Sequence, residues 1–132
     1  MIIVKDKLGT TEFKSDKKLI RSIYKGRVDT DMSFEHLGKV VEFYRTNEVN
    51  GAIIDLRQLY GSFAKIMGYL SQNFYPIAKK SGLKAQAFIV KDDLIIKNLA
   101  SKLEDLTTNF NIRARIFYKK EDAEEWMDSI LK

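Results

Sequence analysis

The hydrophobic positions along the chain follow two periods, and these divide the sequence into strands and helices. Residues 19–24 alternate between two faces, which is typical of a β-strand, and the apolar run 52–54 indicates a buried strand that Asp55 closes. We predict six strands in total, at residues 2–5, 12–14, 19–24, 52–56, 85–90 and 112–118.

Four other segments place apolar residues three and four positions apart, as amphipathic helices do, and they cover residues 33–44, 62–81, 92–110 and 121–131. Ser33 and Ser62 are the expected N-caps of the first two helices. Pro76 lies inside the second helix, where it removes a backbone donor opposite the carbonyl of Gln72. We therefore expect the second helix to kink or restart near Pro76.

The element order is thus β-β-β-α-β-α-β-α-β-α. Strands and helices alternate in the second half, so right-handed crossovers should build a largely parallel sheet, to which the first strands add antiparallel neighbours. The 132 residues include one proline and seven glycines and show no internal repeat. We expect a single α/β domain over residues 1–132, with a mixed, mostly parallel sheet and four helices.

The chain contains no cysteine, which excludes disulfides, a thiolate nucleophile and cysteine-bound metal. The apolar run after Met1 is too short for a signal peptide, and no segment approaches transmembrane length. These features predict a cytoplasmic protein.

The net charge of +5 is distributed unevenly. Residues 56–91 contain six lysines and arginines and no acid, and they cover the second predicted helix. This segment could meet an anionic partner such as an anionic membrane surface. The alternative, which we favour, is that the lysines are solvated on a helix surface. No nucleic-acid-binding motif is present, so no specific nucleic-acid partner is expected.

Catalytic groups are scarce. One histidine, His36, and no cysteine leave too few groups for a histidine-based triad or a zinc site, and we interpret His36 as a surface or packing residue. The acid pairs Asp92-Asp93 and Glu121-Asp122 stand at predicted helix starts, where carboxylates suit the helix dipole. The glycines match no nucleotide-binding spacing. We expect a non-enzymatic protein with no catalytic residue, metal or cofactor.

Candidate binding residues gather where the fourth strand meets the second helix, because sites in open α/β sheets form at strand C-terminal ends. Arg57 and the predicted helix N-terminus at Ser62 could hold an anion beside Asp55, with Tyr60 covering it. The alternative is a local role, in which Asp55 caps the following backbone and pairs with Arg57. We favour the local role.

The second helix also carries an unusual row at four-residue spacing, formed by Tyr60, Ala64, Gly68, Ser71 and Tyr75. Small side chains allow another backbone to approach closely, and Gly68 lowers helix propensity by about 1 kcal/mol relative to alanine, so a packing reason is expected. The row is either a surface for a protein partner or a homodimer, or a contact with the neighbouring helix.

The element order, together with residues 23–29, 52–56 and 121–127, resembles the STAS fold of anti-sigma-factor antagonists. It looks most similar to the SpoIIAA-like (STAS/SEC14-type) branch of small single-domain bacterial proteins. In the antagonists, a serine that opens the helix after the central strand is phosphorylated to control partner binding. The corresponding residue is Ser62, which lacks the preceding aspartate of the family pattern, and for this reason we favour a plain N-cap over a phosphorylated switch.

The resemblance to lipid-binding Sec14-type domains implies a second possibility, a carrier of a small amphipathic or lipid-like ligand, which requires an internal cavity. Three functions thus follow from the sequence. The leading hypothesis is a regulatory module that binds a protein through a surface formed by Asp55, Arg57, Tyr60, Ser62, Ala64, Gly68 and Tyr75. The alternatives are the ligand carrier and a switch operated by phosphorylation of Ser62.

Overall fold

A computed structural model describes all 132 residues and contains six strands and four helical regions. The strands are β1 (Ile2–Lys5), β2 (Gly9–Lys14), β3 (Leu19–Arg27), β4 (Gly51–Tyr60), β5 (Ala85–Ile89) and β6 (Arg113–Phe117). The helices are α1 (Thr30–Thr46), α2 (Ile66–Tyr69), α3 (Tyr75–Ser81), α4 (Leu94–Thr108) and α5 (Lys120–Leu131), with a π-helical turn at Leu70–Phe74. Residues 66–81, which comprise α2, the π turn and α3, are called the roof segment below.

The six strands form one sheet in the order β1-β2-β3-β4-β5-β6. The first two pairs are antiparallel, and the pairs from β3 to β6 are parallel, as the sequence predicts. Strands added in sequential order by right-handed crossovers place all the connecting helices on one face. Accordingly α1, the roof segment and α4 cover one face, while α5 follows the last strand and packs on the other, over β4 and β5.

Alternate residues of the central strands divide the core between these faces. Ala52 and Phe88 belong to clusters on the face under α1, the roof segment and α4. Ile53 and Ala87 belong to the cluster under α5. Because β4 and β5 are covered on both sides, their apolar runs are nearly continuous, which is why the sequence marks them as buried.

Strand β4 is longer than predicted and runs to Tyr60. A bulge lengthens it: Ile23 pairs with Asp55 and Lys25 with Gln58, so one intervening residue of β3 stands opposite two of β4. The extra residue places Leu56 and Leu59, three positions apart, in the same core cluster. A search for strictly alternating apolar residues misses a strand with a bulge. The predicted end of β4 at Leu56 was therefore too early.

The second helical region also differs from the prediction. Helix α2 begins at Ile66 rather than at Ser62, whose hydroxyl accepts a hydrogen bond from the Ala64 backbone N–H (3.2 Å) in the preceding turn. The interruption expected near Pro76 is present as a restart: a π turn ends at Phe74, and α3 begins at Tyr75 with Pro76 in its first turn. Pro76 has no N–H to give to the Gln72 carbonyl, so the helix accommodates an extra residue there.

Helix α1 begins three residues earlier than Ser33, and its N-cap is Asp29, whose carboxylate accepts from the Met32 N–H (3.0 Å). Ser33 instead donates back to the Asp29 carbonyl (2.7 Å). Asp93 caps α4 through the Ile96 N–H (3.1 Å), as its position predicts. None of the helices has the length and hydrophobicity needed to span a bilayer.

Candidate functional site

The strand-end site proposed from the sequence is divided between the two faces of the sheet. Asp55 lies two residues after Ile53 in β4, so both side chains are on the same face of the sheet. This is the face covered by α5, away from the roof segment. Arg57 Nε and Nη2 donate to the two Asp55 carboxylate oxygens (3.0 and 2.7 Å), and the Arg57 backbone N–H adds a third bond (3.0 Å). Asp55 and Arg57 thus form a closed local pair, which agrees with the favoured alternative.

This pair also sets the ionisation of Asp55. Burial alone would raise the pKa of the Asp55 carboxyl, but the hydrogen bonds from Arg57 outweigh burial and hold the pKa below its ordinary value. The charge of the Arg57 guanidinium is matched in turn by the carboxylate. Little of either charge is left to attract an anion, so these two residues do not form an anion site with Ser62.

The row on the second helix is divided as well. Ser62, Ala64 and Gly68 are exposed, whereas Tyr75 is buried and donates to the Gln86 side-chain oxygen (2.7 Å). A π turn adds one residue to a helical turn, which rotates every later residue by about 100° relative to the earlier ones. Tyr75 is therefore not a surface residue, and the predicted seven-residue surface does not exist as one patch.

Gly68 has no packing partner. A Cβ built at Gly68 has nothing within 4 Å, so the expected contact with a neighbouring helix is absent. Tyr60 is also half exposed. The small residues of α2 therefore face solvent, which leaves the partner-surface hypothesis open for the exposed part of the row alone.

An apolar cavity of about 100 Å³ lies between the sheet and the helices above it. It is lined by Ile20, Ile54 and Phe88 from the sheet, Leu37 and Val40 from α1, and Ile66, Leu70 and Phe74 from the roof segment. The roof segment thus forms one wall of the cavity with side chains from α2 and the π turn. The apolar spacing in the sequence predicts that these residues face the core. It does not show how completely their side chains fill the space between the sheet and the helices.

Polar groups also reach the cavity wall. Three of them are occupied: Ser22 bonds Thr11 (2.8 Å), Ser33 bonds the Asp29 carbonyl (2.7 Å) and Tyr75 bonds Gln86 (2.7 Å). Tyr44 lines the same cavity, and its hydroxyl takes part in none of the hydrogen bonds of the structure. Because no fully enclosed side-chain polar atom lacks a partner, this hydroxyl must keep some accessible surface. Burial raises the pKa of the Tyr44 hydroxyl well above its ordinary value, so this group stays a neutral donor.

A buried polar chain stands behind the cavity wall, and the sequence interpretation of its central residue was incomplete. His36 is fully buried; its Nδ1 bonds the Asp6 carboxylate (2.9 Å) and its Nε2 bonds the Thr11 hydroxyl (2.8 Å). The Thr11 hydroxyl bonds Ser22 in turn (2.8 Å), and the Tyr24 ring lies edge-on to His36, with centroids 5.1 Å apart. This chain ties the turn after β1 to α1.

A usable signal for this chain was present in the sequence. His36 is four residues before Val40 and eight before Tyr44, on the apolar stripe of α1, so an inward-facing histidine was predictable. Its partner Thr11 was not, because the predicted second strand began at residue 12, whereas β2 begins at Gly9. Thr11 on β2 and His36 on α1 are 25 residues apart in the chain, and local spacing cannot show that they meet.

The order carboxylate–imidazole–hydroxyl resembles an acyl-transfer triad, but its surroundings do not suit that chemistry. Thr11, which contacts the imidazole, is fully buried. Ser22 pairs with Thr11 in β2 and with Ile54 in β4, so its backbone is committed to the sheet and offers no N–H to a developing oxyanion. The chain is best described as a satisfied structural network. The structure also contains no group of three or more acidic and histidine side chains placed to hold a metal ion.

No family model matches this sequence, and no curated protein matches it. Among solved structures, the chain is similar to the crystal structure of an uncharacterised protein of the DUF3478 family with a SpoIIAA-like fold, from Shewanella loihica PV-4. The similarity covers 90% of this chain and 91% of that chain, with a TM-score of 0.56 and 20% sequence identity.

The fold of this chain is SpoIIAA-like. The resemblance drawn from element order and from residues 23–29, 52–56 and 121–127 is thereby confirmed. At 20% identity the likeness concerns the fold, and it carries no activity or ligand across.

Proposed function

We propose that this SpoIIAA-like domain is a non-enzymatic binding module that holds a small, mostly apolar molecule beneath the roof segment. The observation that carries the proposal is the cavity of about 100 Å³ between the sheet and the roof segment. A carrier needs an internal space, and apolar walls favour apolar ligands because burying them removes hydrophobic surface from water. The protein-surface hypothesis is less well supported, because Asp55 lies on the opposite face of the sheet and Tyr75 is buried.

The cavity volume limits the ligand. An apolar cavity of about 150 Å³ accepts benzene, so a space of about 100 Å³ suits a molecule of roughly four non-hydrogen atoms. A full lipid chain exceeds this volume and would enter only with displacement of the roof segment. With the roof segment in its present position, the cavity therefore selects small ligands.

The roof segment is the part of the wall best suited to move. Helix α2 has four residues, and the π turn after it replaces regular i→i+4 bonds with longer-range ones. Short helices gain little stability from their own hydrogen bonds. Ser71, Gln72 and Asn73, on the outer side of the turn, are half buried or exposed. Opening of this segment would enlarge the cavity without disturbing the sheet.

Xenon binding followed by methyl NMR tests the proposal. In the wild-type protein, xenon should shift the methyl signals of Ile20, Ile54 and Leu70, which line the cavity. Val40→Ile adds a methylene to the lining, whereas Val41→Ile adds the same group to a buried neighbour outside it. We expect Val40→Ile to weaken xenon binding several-fold and Val41→Ile to leave it unchanged. Equal binding in all three proteins, or none, would contradict the proposal.

A second candidate function is supported by the exposed part of the α2 row. Ala64 and Gly68 face solvent, and open space above Gly68 would let another chain approach closely. The proposed partner is a protein or a second copy of this chain. Gly68→Leu should abolish that association, as measured by analytical ultracentrifugation and by pull-down of partners. Unchanged association would exclude this surface.

The Ser62 switch is the weakest candidate. The Ser62 side chain is exposed and therefore open to a kinase, but the nearest helix begins four residues later and is only four residues long. A phosphate on Ser62 would thus lack the helix N-terminus that stabilises it in the antagonist pattern. A mass increase of about 80 Da mapped to Ser62 in protein from its own host would revive this candidate.

A further inference from the structure

Two buried polar groups on the cavity wall have no partner in the chain. The Tyr44 side chain is 2% exposed and Gln86 is 4% exposed. Gln86 uses its side-chain oxygen to accept from Tyr75, which leaves its amide nitrogen free. The Tyr44 hydroxyl makes no hydrogen bond, although nearly all buried polar groups in proteins are paired.

The free atoms of these two residues face the cavity. No fully enclosed side-chain nitrogen or oxygen in this protein lacks a partner. The unpaired Tyr44 and Gln86 atoms must therefore retain accessible surface, and the space that both residues line is the cavity. Tyr24 also lines this wall, and its hydroxyl hydrogen-bonds with Thr11 and Ser22. The rest of the wall is apolar or already hydrogen-bonded, so the two donors left unused are Tyr44 Oη and Gln86 Nε2.

We propose that Tyr44 Oη and Gln86 Nε2 are the polar anchors of the cavity and that they bind the oxygen of a small neutral carbonyl compound, such as a ketone or an aldehyde. This inference rests on the proposed function, since it assigns the ligand class of the same cavity. The phenol and the amide nitrogen both donate, so the matching ligand atom is an acceptor oxygen.

The same wall argues against a charged ligand. No lysine, arginine or histidine lines the cavity, so a carboxylate there would lose its hydration without gaining a counter-charge. A neutral carbonyl loses much less, and its carbon frame matches the apolar remainder of the wall. The cavity volume sets the size of this frame at roughly four non-hydrogen atoms.

Acetone and isobutene test the inference as a pair, because they share a planar four-atom frame and differ in one oxygen. Each is titrated into the protein while the methyl NMR signals of Ile54 and Leu70 report binding. Tyr44→Phe removes a hydroxyl that has no protein partner, so the fold should keep its other hydrogen bonds. Gln86→Leu is combined with Tyr75→Phe, because Gln86→Leu alone would strand the Tyr75 hydroxyl. Tyr60→Phe, on the surface, is the control.

We expect Tyr44→Phe and the double variant each to lower acetone affinity about tenfold, as loss of one hydrogen bond in a buried site does. Isobutene affinity should stay within about twofold of wild type or rise, since the wall becomes more apolar. Tyr60→Phe should change neither affinity.

The outcomes separate the inference from the function beneath it. If isobutene binds the wild type but neither variant changes acetone affinity relative to isobutene, the polar anchors are wrong and the apolar cavity function stands. If neither compound binds the wild type, the proposed function fails and this inference fails with it. An equal loss of both compounds in Tyr44→Phe would indicate a collapsed cavity and would also overturn the anchoring role.

Discussion

The two faces of the sheet are covered in opposite ways. On one face a single regular helix, α5, packs on β4 and β5, and its Met127 approaches Gly51 over a filled cluster that mixes small residues such as Ala87 with larger ones such as Ile53. On the other face the covering chain is divided by the π turn, the side chains beneath it are large, and a cavity remains. The α5 face is built for stability, and the roof face keeps space that a ligand can use.

Charge reinforces this difference. Arg21 on β3 makes a two-pronged ion pair with Glu124 on α5, and Arg21 Nε lies 3.0 Å from Glu124 Oε2. Paired charges of this geometry orient a helix more firmly than single contacts do. The roof segment has no ion pair to the sheet; it is held by apolar contacts and by the hydrogen bond from Tyr75 to Gln86. We therefore expect the two faces to respond differently to comparable substitutions.

The largest difference should appear on truncating one long side chain on each face. Met127 on α5 is fully buried against the sheet. Leu70 in the roof segment is only partly buried and borders the cavity. We expect Met127→Ala to lower the free energy of unfolding by about 3 kcal/mol and Leu70→Ala by about 1 kcal/mol. Urea denaturation measures both, and equal losses would contradict the contrast between the faces.

The buried chain behind the cavity should give the next largest effect. His36→Leu keeps the apolar contacts of α1 but leaves Asp6 and Thr11 without their shared partner. We expect a loss of about 2 kcal/mol in urea denaturation, because the fully buried Thr11 hydroxyl would lose one of its partners and a buried polar group that loses a partner retains its desolvation penalty. A loss below about 0.5 kcal/mol would mean that water satisfies these groups and that the chain is not structural.

A pair of glycines tests the close approach of α5 directly. A Cβ at Gly51 would lie 2.6 Å from Met127 Sδ, whereas a Cβ at Gly68 meets nothing. We expect Gly51→Ala to destabilise the protein by about 1 kcal/mol or more, through overpacking. Gly68→Ala should stabilise it by about 0.5 kcal/mol through helix propensity. Thermal unfolding midpoints should therefore move in opposite directions, and a shift of the same sign for both would refute the account of these sites.

The smallest effect concerns the acid side of the stability profile. Burial alone would raise the pKa of Asp6, but hydrogen bonds from His36, Leu8 and Gly9 lower the pKa below its ordinary value of 3.8. A lowered folded-state pKa contributes stability that is present above about pH 4 and is lost as pH falls further. We expect Asp6→Asn to flatten the decline in unfolding free energy below pH 4. Parallel profiles for the variant and the wild type would count against this pairing.

The sequence carried most of the fold because local and global signals agreed there. The alternation in residues 19–24, the buried run at 52–54 and the cap at Asp93 each fixed an element that the structure contains. Element order then predicted a largely parallel sheet with antiparallel strands added from the first part of the chain, which the structure contains. The order of the strands within the sheet was not predicted. Agreement between levels of this kind is what allows a fold to be argued from a single sequence.

The site was less accessible, for identifiable reasons. The π turn before Pro76 inserts one residue, which is enough to move Tyr75 out of the surface to which a simple helical period assigned it. Asp55 lies two residues after Ile53 and therefore on the α5 face, and its position at a strand end does not show which face of the sheet it occupies. The hydrogen bond between His36 and Thr11 depends on tertiary placement. The cavity is the space that the packed side chains leave unfilled, and a pattern of residue types does not predict such unfilled space.

A crystal structure of the wild-type protein under xenon pressure tests the central claim most directly. We expect a xenon atom between Ile54 and the π turn, in contact with Leu70 and Phe74, with the sheet and α5 unmoved. Absence of xenon from this space, with the Leu70 and Phe74 side chains closed onto the sheet, would contradict a ligand-binding role for the roof face.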